Sequence, residues 1–277
     1  MLDLSHAAAA LPMPRSHLEC FDLAGVFLPE ARSLVERAAD PALRERLRAG
    51  GALLARDSVE LLAPVPRPGK IVCIGLNYKD HAAESNSPLP ARPLVFSKFS
   101  TCACASGATI RIPPGSLNVD YEAELGVVIG RRASRVSAEH ASEHVLGYVN
   151  FNDVSARDFQ FKDGQWQRGK SCDTFAPFGE YIATTDEIPD PHKLRIRLRL
   201  NGKTMQDSNT DQLVFGVPAL IESISQHITL EPGDVIATGT PPGVGFARKP
   251  PVWLRPGDVV EVEIDGLGIL RNEIGAS

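Results

Sequence analysis

From residue 70 to the end of the chain, apolar residues come in short runs that end at glycine, proline or aspartate. Runs of this length are typical of buried β-strands, and two of them alternate strictly, as strands with one wet face do. The runs are Lys70–Gly75, Leu94–Ser97, Leu125–Gly130, His144–Phe151, Leu194–Asn201, Asp234–Thr238 and Asp258–Asp265. Only Ala138–His144 and Val214–His227 have helical character in this region. Many strands with few helices predict an α+β, β-dominated domain and argue against a doubly wound sheet.

The chain before residue 70 has a different pattern. Residues 30–48 carry apolar positions at helical spacing, which predicts one or two short helices. Asp40-Pro41 should end the first and start the second, because proline is tolerated in a first turn. Leu61–Gly69 holds three prolines and a glycine and predicts a linker. We therefore divide the chain into an N-terminal extension (1–16), a small N-terminal domain with its linker (17–66) and a main domain (67–277).

Composition argues against several classes of partner. The net charge is -5 and no basic stripe is present, so nucleic acid is not expected. No apolar run approaches the roughly 20 residues that span a bilayer, and residues 1–14 lack the basic start of a secretory signal. The five cysteines are odd in number and scattered, and Cys102-Ala-Cys104 has no second pair at zinc spacing. These features predict a cytoplasmic protein without a membrane partner.

Two glutamates introduce the run Leu125–Gly130 at a spacing that brings their side chains together. On a strand, Glu122 and Glu124 project from the same face and repel one another, which is costly if they are buried. Either a hard cation compensates the two charges, or both side chains face water from an edge strand. Asp153, at the end of another apolar run, offers a third carboxylate. Three oxygen ligands without a nearby histidine or cysteine suit Mg²⁺, with Mn²⁺ or Ca²⁺ as substitutes.

A histidine and a glutamate follow the run Lys70–Gly75 at a spacing of three residues. If this segment forms a helical turn, His81 and Glu84 share a face, and the carboxylate can hold the imidazole in one tautomer as a general base requires. A surface ion pair would have the same spacing.

Cations and a rigid turn complete the set of candidates. Arg157 suits the capture of a substrate carboxylate and Lys170 a developing oxyanion, although each could equally be a salt-bridged surface cation. Thr238–Gly245 lacks both phosphate-loop patterns, and its paired prolines predict a rigid turn that presents backbone and a threonine hydroxyl. Trp166 is interpreted as a packing residue.

Taken together, these segments resemble the fumarylacetoacetate hydrolase family, most closely its branch of domain-containing protein 2. The motifs that carry the resemblance run in the family's order from about residue 65 to the C-terminus. They are GLNYKDHAAE (75–84), FSKF (96–99), DYEAELGVVIG (120–130), NDVSARDFQ (152–160), GKSCDTFAPFG (169–179), GDVIATGTPPGVG (233–245) and RKPPVWLRPGD (248–258).

The resemblance implies a mixed β-sheet roll as the catalytic domain, a small N-terminal α/β domain and a homodimer. It implies metal ligation by Glu122, Glu124 and Asp153, with His81 and Glu84 as a water-activating dyad beside a catalytic Lys170. It also implies that substrate is contacted by Tyr78, Arg157, Gln160 and Thr240. None of these residues is missing from the sequence.

The activity expected from the resemblance is Mg²⁺-dependent hydrolysis of a C–C bond in acylpyruvate or fumarylpyruvate-type 2,4-dioxo acids, within aromatic or small-acid catabolism. In this reaction the metal stabilises a pyruvate enolate and Lys170 balances charge on the attacked oxygen. The same equipment stabilises an enolate formed in other ways, so tautomerisation, isomerisation or decarboxylation of a 2-oxo acid such as oxaloacetate is the alternative. A non-catalytic metal or ligand-binding protein is the alternative of another class.

Overall fold

A computed structural model of the chain describes residues 24–84, 88–162 and 164–277. The chain divides into two compact units between Leu61 and Leu62, a few residues before the predicted boundary at residues 66 and 67. The predicted N-terminal extension, residues 1–16, lies outside the described residues. No helix in the described ranges combines the length and apolar character needed to cross a bilayer.

Two helices make up most of the described part of the first unit. They are α1 (Ala24–Arg37) and α2 (Pro41–Ala49), with a 3₁₀ turn at Arg56–Ser58. The Asp40 carboxylate caps α2 by accepting a hydrogen bond from the backbone N–H of Ala42 at 2.9 Å. Pro41 occupies the first turn, where its missing N–H costs nothing. The predicted boundary between two helices at Asp40-Pro41 is confirmed.

The second unit is built on two mixed sheets. The six-stranded sheet has the order β10-β7-β6-β13-β1-β2 and the five-stranded sheet the order β12-β11-β14-β15-β4. Their strands are β1 (Ile71–Gly75), β2 (Leu94–Lys98), β4 (Ile110–Ile112), β6 (Ala123–Ile129), β7 (Val145–Asn152), β10 (Ala183–Thr184), β11 (Arg195–Leu200), β12 (Lys203–Asn209), β13 (Val235–Ala237), β14 (Val259–Ile264) and β15 (Gly268–Ala276). Two short pairs join β3 (Ala103–Cys104) to β9 (Ala176–Pro177) and β5 (Val119–Asp120) to β8 (Ser155–Ala156).

Helices are few and short in this unit. They are α3 (Lys79–Glu84), α4 (Arg157–Lys162), α5 (Gln167–Lys170) and α6 (Val217–Ser225), with 3₁₀ turns at Ser100–Cys102, Ala138–His144, Thr210–Gln212 and Gly245–Ala247. The predicted helix at 138–144 is therefore a 3₁₀ helix, and the one predicted at 214–227 is shorter at both ends. The β-dominated α+β class is confirmed.

Each run predicted as a strand contains one. The strictly alternating runs pair as β11 and β14, which place Ile196, Leu198 and Val262 in the core. Their intervening residues form an outer row of ion pairs, in which Arg197 and Arg199 reach Glu263 at 2.8 and 2.7 Å. The predicted wet face is confirmed, and it consists of paired charges.

The topology of the six-stranded sheet brings four chain segments together at one end of its strands. β6 is antiparallel to both neighbours, β7 and β13, and β13 is parallel to β1. The start of β6 therefore lies beside the ends of β7, β13 and β1. This strand pairing brings Glu124, Asp153, Thr240 and helix α3 together at one end of the strands. The predicted site residues are concentrated there.

Candidate active site

Three carboxylates meet at this end of the strands. Glu124 lies on β6, Glu122 directly before it, and Asp153 directly after β7. One oxygen of each lies within 4.8 Å of the others. The exposed fractions are 8% for Glu122, 1% for Glu124 and 0% for Asp153. The alternative that the glutamates face water from an edge strand is therefore wrong, because β6 is a central strand and its neighbours bury them.

Buried cations contact two of the three carboxylates. The Lys170 ammonium donates to Oε2 of Glu122 and Oδ2 of Asp153, both at 2.7 Å. The Lys98 ammonium donates to the other oxygen of Asp153 at 2.5 Å and to the carbonyl of Val154 at 3.0 Å. Both lysines are almost fully buried. These contacts fix the orientations of Glu122 and Asp153 before any ligand arrives.

Arg157 holds Glu122 from the opposite side. Its guanidinium donates to Oε1 of Glu122 at 2.6 Å, to Asp120 at 2.8 and 2.9 Å, and to Oε1 of Gln160 at 2.9 Å. The guanidinium also lies 4.5 Å from the centre of the Phe246 ring. Arg157 therefore acts on a candidate metal ligand, and its expected contact with substrate stays a prediction.

The charges give the two glutamates opposite pKa shifts. Burial alone would raise the pKa of Glu122, but Lys170 and Arg157 outweigh it and lower the pKa to about 2. Burial raises the pKa of Glu124 well above its ordinary value, and the charges of Asp153 and Glu122 raise it further. Its one hydrogen-bond donor in the described chain is the backbone N–H of Gly239, at 2.9 Å. Glu124 is thus the carboxylate of the cluster whose ionised form no paired cation stabilises in the described residues.

This donor set fits a hard divalent ion. Oxygen ligands from three buried carboxylates match the preference of Mg²⁺, Mn²⁺ or Ca²⁺. Such an ion would place a positive charge beside Glu124, where no lysine or arginine forms an ion pair in the described residues. The three residues that the sequence predicted as metal ligands are the three that the fold brings together.

The predicted His–Glu pair forms on helix α3. Nδ1 of His81 lies 3.2 Å from Oε2 of Glu84, and the imidazole is buried. The backbone N–H of Gly243 donates to the Glu84 carboxylate at 3.1 and 3.2 Å. The turn predicted to be rigid therefore anchors the carboxylate that orients the imidazole.

A cavity of about 170 Å³ opens above these groups. Its polar wall includes two of the carboxylates, His81, Arg157, Gln160, Lys170 and Thr240. Its apolar wall consists of Ile74, Leu76, Phe96, Phe161, Trp166 and Phe246. Trp166 packs against Phe96 with ring centroids 5.1 Å apart, so it is a packing residue, as interpreted, that also lines the cavity. Tyr78 is fully buried and is not among the lining residues.

Comparison with known proteins identifies the origin of this arrangement. A family model described as fumarylacetoacetate (FAA) hydrolase C-terminal matches residues 70–275, which include every group just described. The chain belongs to the fumarylacetoacetate hydrolase family. The resemblance read from the motifs is confirmed.

Curated and solved members of the fumarylacetoacetate hydrolase family include more than one activity. The mitochondrial oxaloacetate tautomerase fahd2 of Xenopus laevis is 51% identical over 224 residues, which cover 80% of this chain and 70% of that protein. The solved 2-hydroxyhepta-2,4-diene-1,7-dioate isomerase of Mycobacterium marinum is 41% identical, with a TM-score of 0.71 and coverage of 80% and 79%. The fumarylacetoacetate hydrolase of Exiguobacterium antarcticum is 40% identical, with a TM-score of 0.76 and coverage of 80% of each chain.

The compartment of this family member stays a prediction. The sequence led us to expect a cytoplasmic protein, whereas the curated Xenopus laevis relative is named as mitochondrial.

Three residues of the site were missed as functional candidates by sequence reasoning. Lys98 and Asp120 lie inside the motifs FSKF and DYEAELGVVIG, but their partners Asp153 and Arg157 are far along the chain. Gln206 lies on β12, where no motif was noticed, and is 1% exposed. A polar residue among the buried positions of a strand is detectable only once the strand is known to be buried there.

Proposed function

We propose that this chain is a divalent-metal-dependent tautomerase that interconverts the enol and keto forms of oxaloacetate. The observation that carries the proposal is the cluster of three buried carboxylates at the floor of a small cavity, in which Glu124 makes no ion pair with a lysine or arginine of the described residues. The similarity to the Xenopus laevis oxaloacetate tautomerase supports the choice of reaction. Enol and keto oxaloacetate differ only in the position of one proton and a double bond, so the site must bind an enolate and move a proton.

The residues divide between holding an ion and moving a proton. Glu122, Glu124 and Asp153 would hold Mg²⁺, which when bound supplies a Lewis acid for the 2-oxo acid end of the substrate. Lys170 and Arg157 keep Glu122 ionised and oriented. The Lys170 ammonium is also placed to balance negative charge on a substrate oxygen, since Lys170 lines the cavity.

We assign the proton transfer to His81. Glu84 engages Nδ1, so Nε2 is the nitrogen that exchanges a proton with the substrate. In the ketonising direction, the enol oxygen loses its proton to solvent, the imidazolium gives a proton to C3 of the enolate, and the neutral imidazole then takes up a proton from solvent. The reverse direction removes the C3 proton. The number of atoms and electrons is conserved in both directions, and no water is consumed.

The size of the cavity favours a short substrate. Pockets for drug-sized ligands measure roughly 300–1,000 Å³. A cavity of about 170 Å³ suits a four-carbon acid better than an acylpyruvate with a long acyl group.

C–C hydrolysis of acylpyruvate or fumarylpyruvate-type acids is the second candidate. The buried, anchored His81–Glu84 pair favours it, because a water-activating base is required for hydrolysis. The similarity to the Exiguobacterium antarcticum hydrolase points in the same direction. Oxaloacetate decarboxylation uses the same enolate and is a further outcome to measure.

A substrate panel tests the proposal. Enol oxaloacetate, acetylpyruvate and fumarylpyruvate are each incubated with protein and Mg²⁺, and the enol absorbance is followed together with cleavage products and CO₂. We expect rapid loss of enol oxaloacetate beyond the rate with Mg²⁺ alone, without cleavage, and loss of this activity in excess EDTA. If an acylpyruvate is cleaved faster than oxaloacetate is ketonised, C–C hydrolysis replaces tautomerisation as the proposed reaction. No effect on any acid would favour a non-catalytic binding protein.

The homodimer implied by the family resemblance also stays a proposal. Light scattering after size exclusion should give about twice the monomer mass of 29.9 kDa. A mass equal to that of the monomer would contradict it.

A further inference from the structure

Gln206 reaches from the five-stranded sheet to the edge of the other sheet where the carboxylates lie. Its side chain is buried and makes three hydrogen bonds. Nε2 donates to Oγ1 of Thr240 and to the carbonyl of Pro241, both at 2.8 Å, and Oε1 accepts from the backbone N–H of Ala123 at 2.9 Å. Ala123 stands between two of the candidate metal ligands, and Thr240 lines the cavity.

The orientation of the Gln206 amide is fixed by its two backbone partners. The Pro241 carbonyl can only accept and the Ala123 N–H can only donate. A flipped amide would place two acceptors against each other and two donors against each other. The N–H₂ group must therefore face Pro241, and its second hydrogen is given to Thr240.

This arrangement determines the direction of the Thr240 hydroxyl proton. Because Oγ1 accepts from Gln206, the hydroxyl proton must point elsewhere. In the ranges that the structure describes, Thr240 donates to no protein acceptor, and the residue is 6% exposed. The cavity is the remaining space beside it.

We propose that Gln206 is a positioning residue that holds Thr240 as a hydrogen-bond donor to a carboxylate oxygen of the substrate. The inference rests on the proposed function for the identity of that substrate. A carboxylate oxygen only accepts, so it satisfies the Thr240 donor, whereas a ligand with an amine or amide N–H at the same position does not. Gln206 thereby contributes to selection of a dicarboxylate without touching it.

Two substitutions at Gln206 separate positioning from packing. In Gln206→Glu, the carboxylate still accepts from Ala123, but its second oxygen also accepts, so the Thr240 hydroxyl turns to donate to it and away from the cavity. In Gln206→Met, an unbranched side chain of similar length leaves Thr240 free to rotate. We expect KM for enol oxaloacetate to rise in the order wild type, Gln206→Met, Gln206→Glu, by about tenfold or more in the last variant.

The effect should act through Thr240. Thr240→Val should raise KM for enol oxaloacetate to a similar extent. The double variant Gln206→Glu with Thr240→Val should have a KM no higher than that of Thr240→Val alone. Thr240→Ser, which keeps the hydroxyl, should restore most of the affinity that Thr240→Val loses. Gln212→Glu on the 3₁₀ turn Thr210–Gln212 is the matched control for the added charge and should leave KM unchanged.

Malate gives a readout that does not depend on turnover. It has both carboxylates of oxaloacetate but no ketone to enolise, and its Kd with saturating Mg²⁺ is measured by calorimetry. We expect the same order of variants as for KM, while the Kd for Mg²⁺ alone stays within about twofold of wild type. If the wild type does not ketonise oxaloacetate but malate binding follows this order, the tautomerase proposal fails and the role of Gln206 stands.

Three results would overturn the positioning role. They are equal malate affinity in wild type and Gln206→Glu, additive losses in the double variant, and the absence of malate binding to the wild type with Mg²⁺. Should Gln206→Glu fail to fold, which circular dichroism would show, the decision rests on Gln206→Met and Thr240→Ser. Malate affinity that is unchanged in Gln206→Met, or lost in Thr240→Ser, contradicts the proposal.

Discussion

The Lys170 ammonium lies 2.7 Å from Oε2 of Glu122, and both side chains are buried. Arg157 reaches the other oxygen of the same carboxylate at 2.6 Å. Glu122 is therefore the anion that two buried cations share. Glu124, only two residues away, has no such partner among the contacts described for it, and its pKa is shifted in the opposite direction by burial and by Asp153. Two glutamates of one cluster thus have opposite effects on the stability of the metal-free protein.

Glu122→Gln should destabilise the metal-free protein. The substitution leaves Lys170 and Arg157 with less compensating charge in a buried site, which typically costs about 3–5 kcal/mol. Chemical denaturation at neutral pH in EDTA measures this loss. The folded pKa of Glu122 is lowered to about 2, so its contribution is present above the ordinary value of 4.5 and is lost as the pH falls towards 2. The difference between variant and wild type should shrink over that range.

Glu124→Gln should abolish tight Mg²⁺ binding without this loss of stability. The folded pKa of Glu124 is raised, so below its ordinary value of 4.5 the residue is protonated in both states and has little effect. As the pH rises from 4.5 towards the raised folded pKa, the unfolded chain ionises while the folded chain keeps the proton, so the folded wild type progressively loses stability. The variant cannot ionise, so in EDTA its unfolding free energy relative to wild type should increase with pH.

Mg²⁺ provides the complementary measurement for Glu124. It should raise the Tm of the wild type and leave that of Glu124→Gln almost unchanged. An equal Mg²⁺-dependent rise in both proteins would remove Glu124 from the ligand set.

The predictable part of the fold is the part with a local pattern. The alternating runs that became β11 and β14 place apolar residues on one face at every second position, so their existence followed from the sequence. Strands β12 and β15 were not predicted. Lys203–Asn209 is polar over most of its length, and Gly268–Ala276 contains two glycines and two charged residues, so only pairing with β11 and β14 makes them strands.

The same distinction applies to the site. The members of each pair, Glu122 with Glu124 and His81 with Glu84, are close to one another in sequence. Strand and helix periodicity was therefore sufficient to suggest both pairs. Asp153 was placed in the cluster with the help of family motifs, and the sheet register now supplies the physical reason. Lys98 pairs with Asp153 across 55 residues, a relationship that no local periodicity contains. Tyr78 was suggested by a motif alone, and because it is buried and does not line the cavity, its contact with substrate stays a prediction.

Gly169→Ala should impair the site through Lys170. A Cβ at residue 169 would lie 2.5 Å from the backbone nitrogen of Gln160 and 2.6 Å from the carbonyl of Ala156, so α5 must move away from α4. Overpacking of this kind costs about 1–3 kcal/mol, and Lys170 is the next residue. We expect a lower Tm and a lower kcat for enol oxaloacetate. Gly50→Ala is the control, since its Cβ would meet nothing nearer than 3.3 Å. Wild-type activity in Gly169→Ala would show that the position of Lys170 is not critical.

His81→Asn should discriminate between the two candidate reactions. The change removes the proton-transferring nitrogen at a buried position where the Glu84 carboxylate, which accepts from the backbone N–H of Gly243, holds the imidazole. General acid–base catalysis typically contributes about 10²–10⁴-fold, so kcat for ketonisation should fall by this amount while the Kd for Mg²⁺ stays constant. Glu84→Gln should cause a smaller loss, because the imidazole remains but is less strongly held. The exposed pair His140 and Glu143 has the same spacing of three residues and a 2.9 Å contact, so His140→Asn is the matched control and should keep full activity. If His81→Asn ketonises oxaloacetate at the wild-type rate but loses cleavage of an acylpyruvate, His81 serves hydrolysis, and another group moves the proton in tautomerisation.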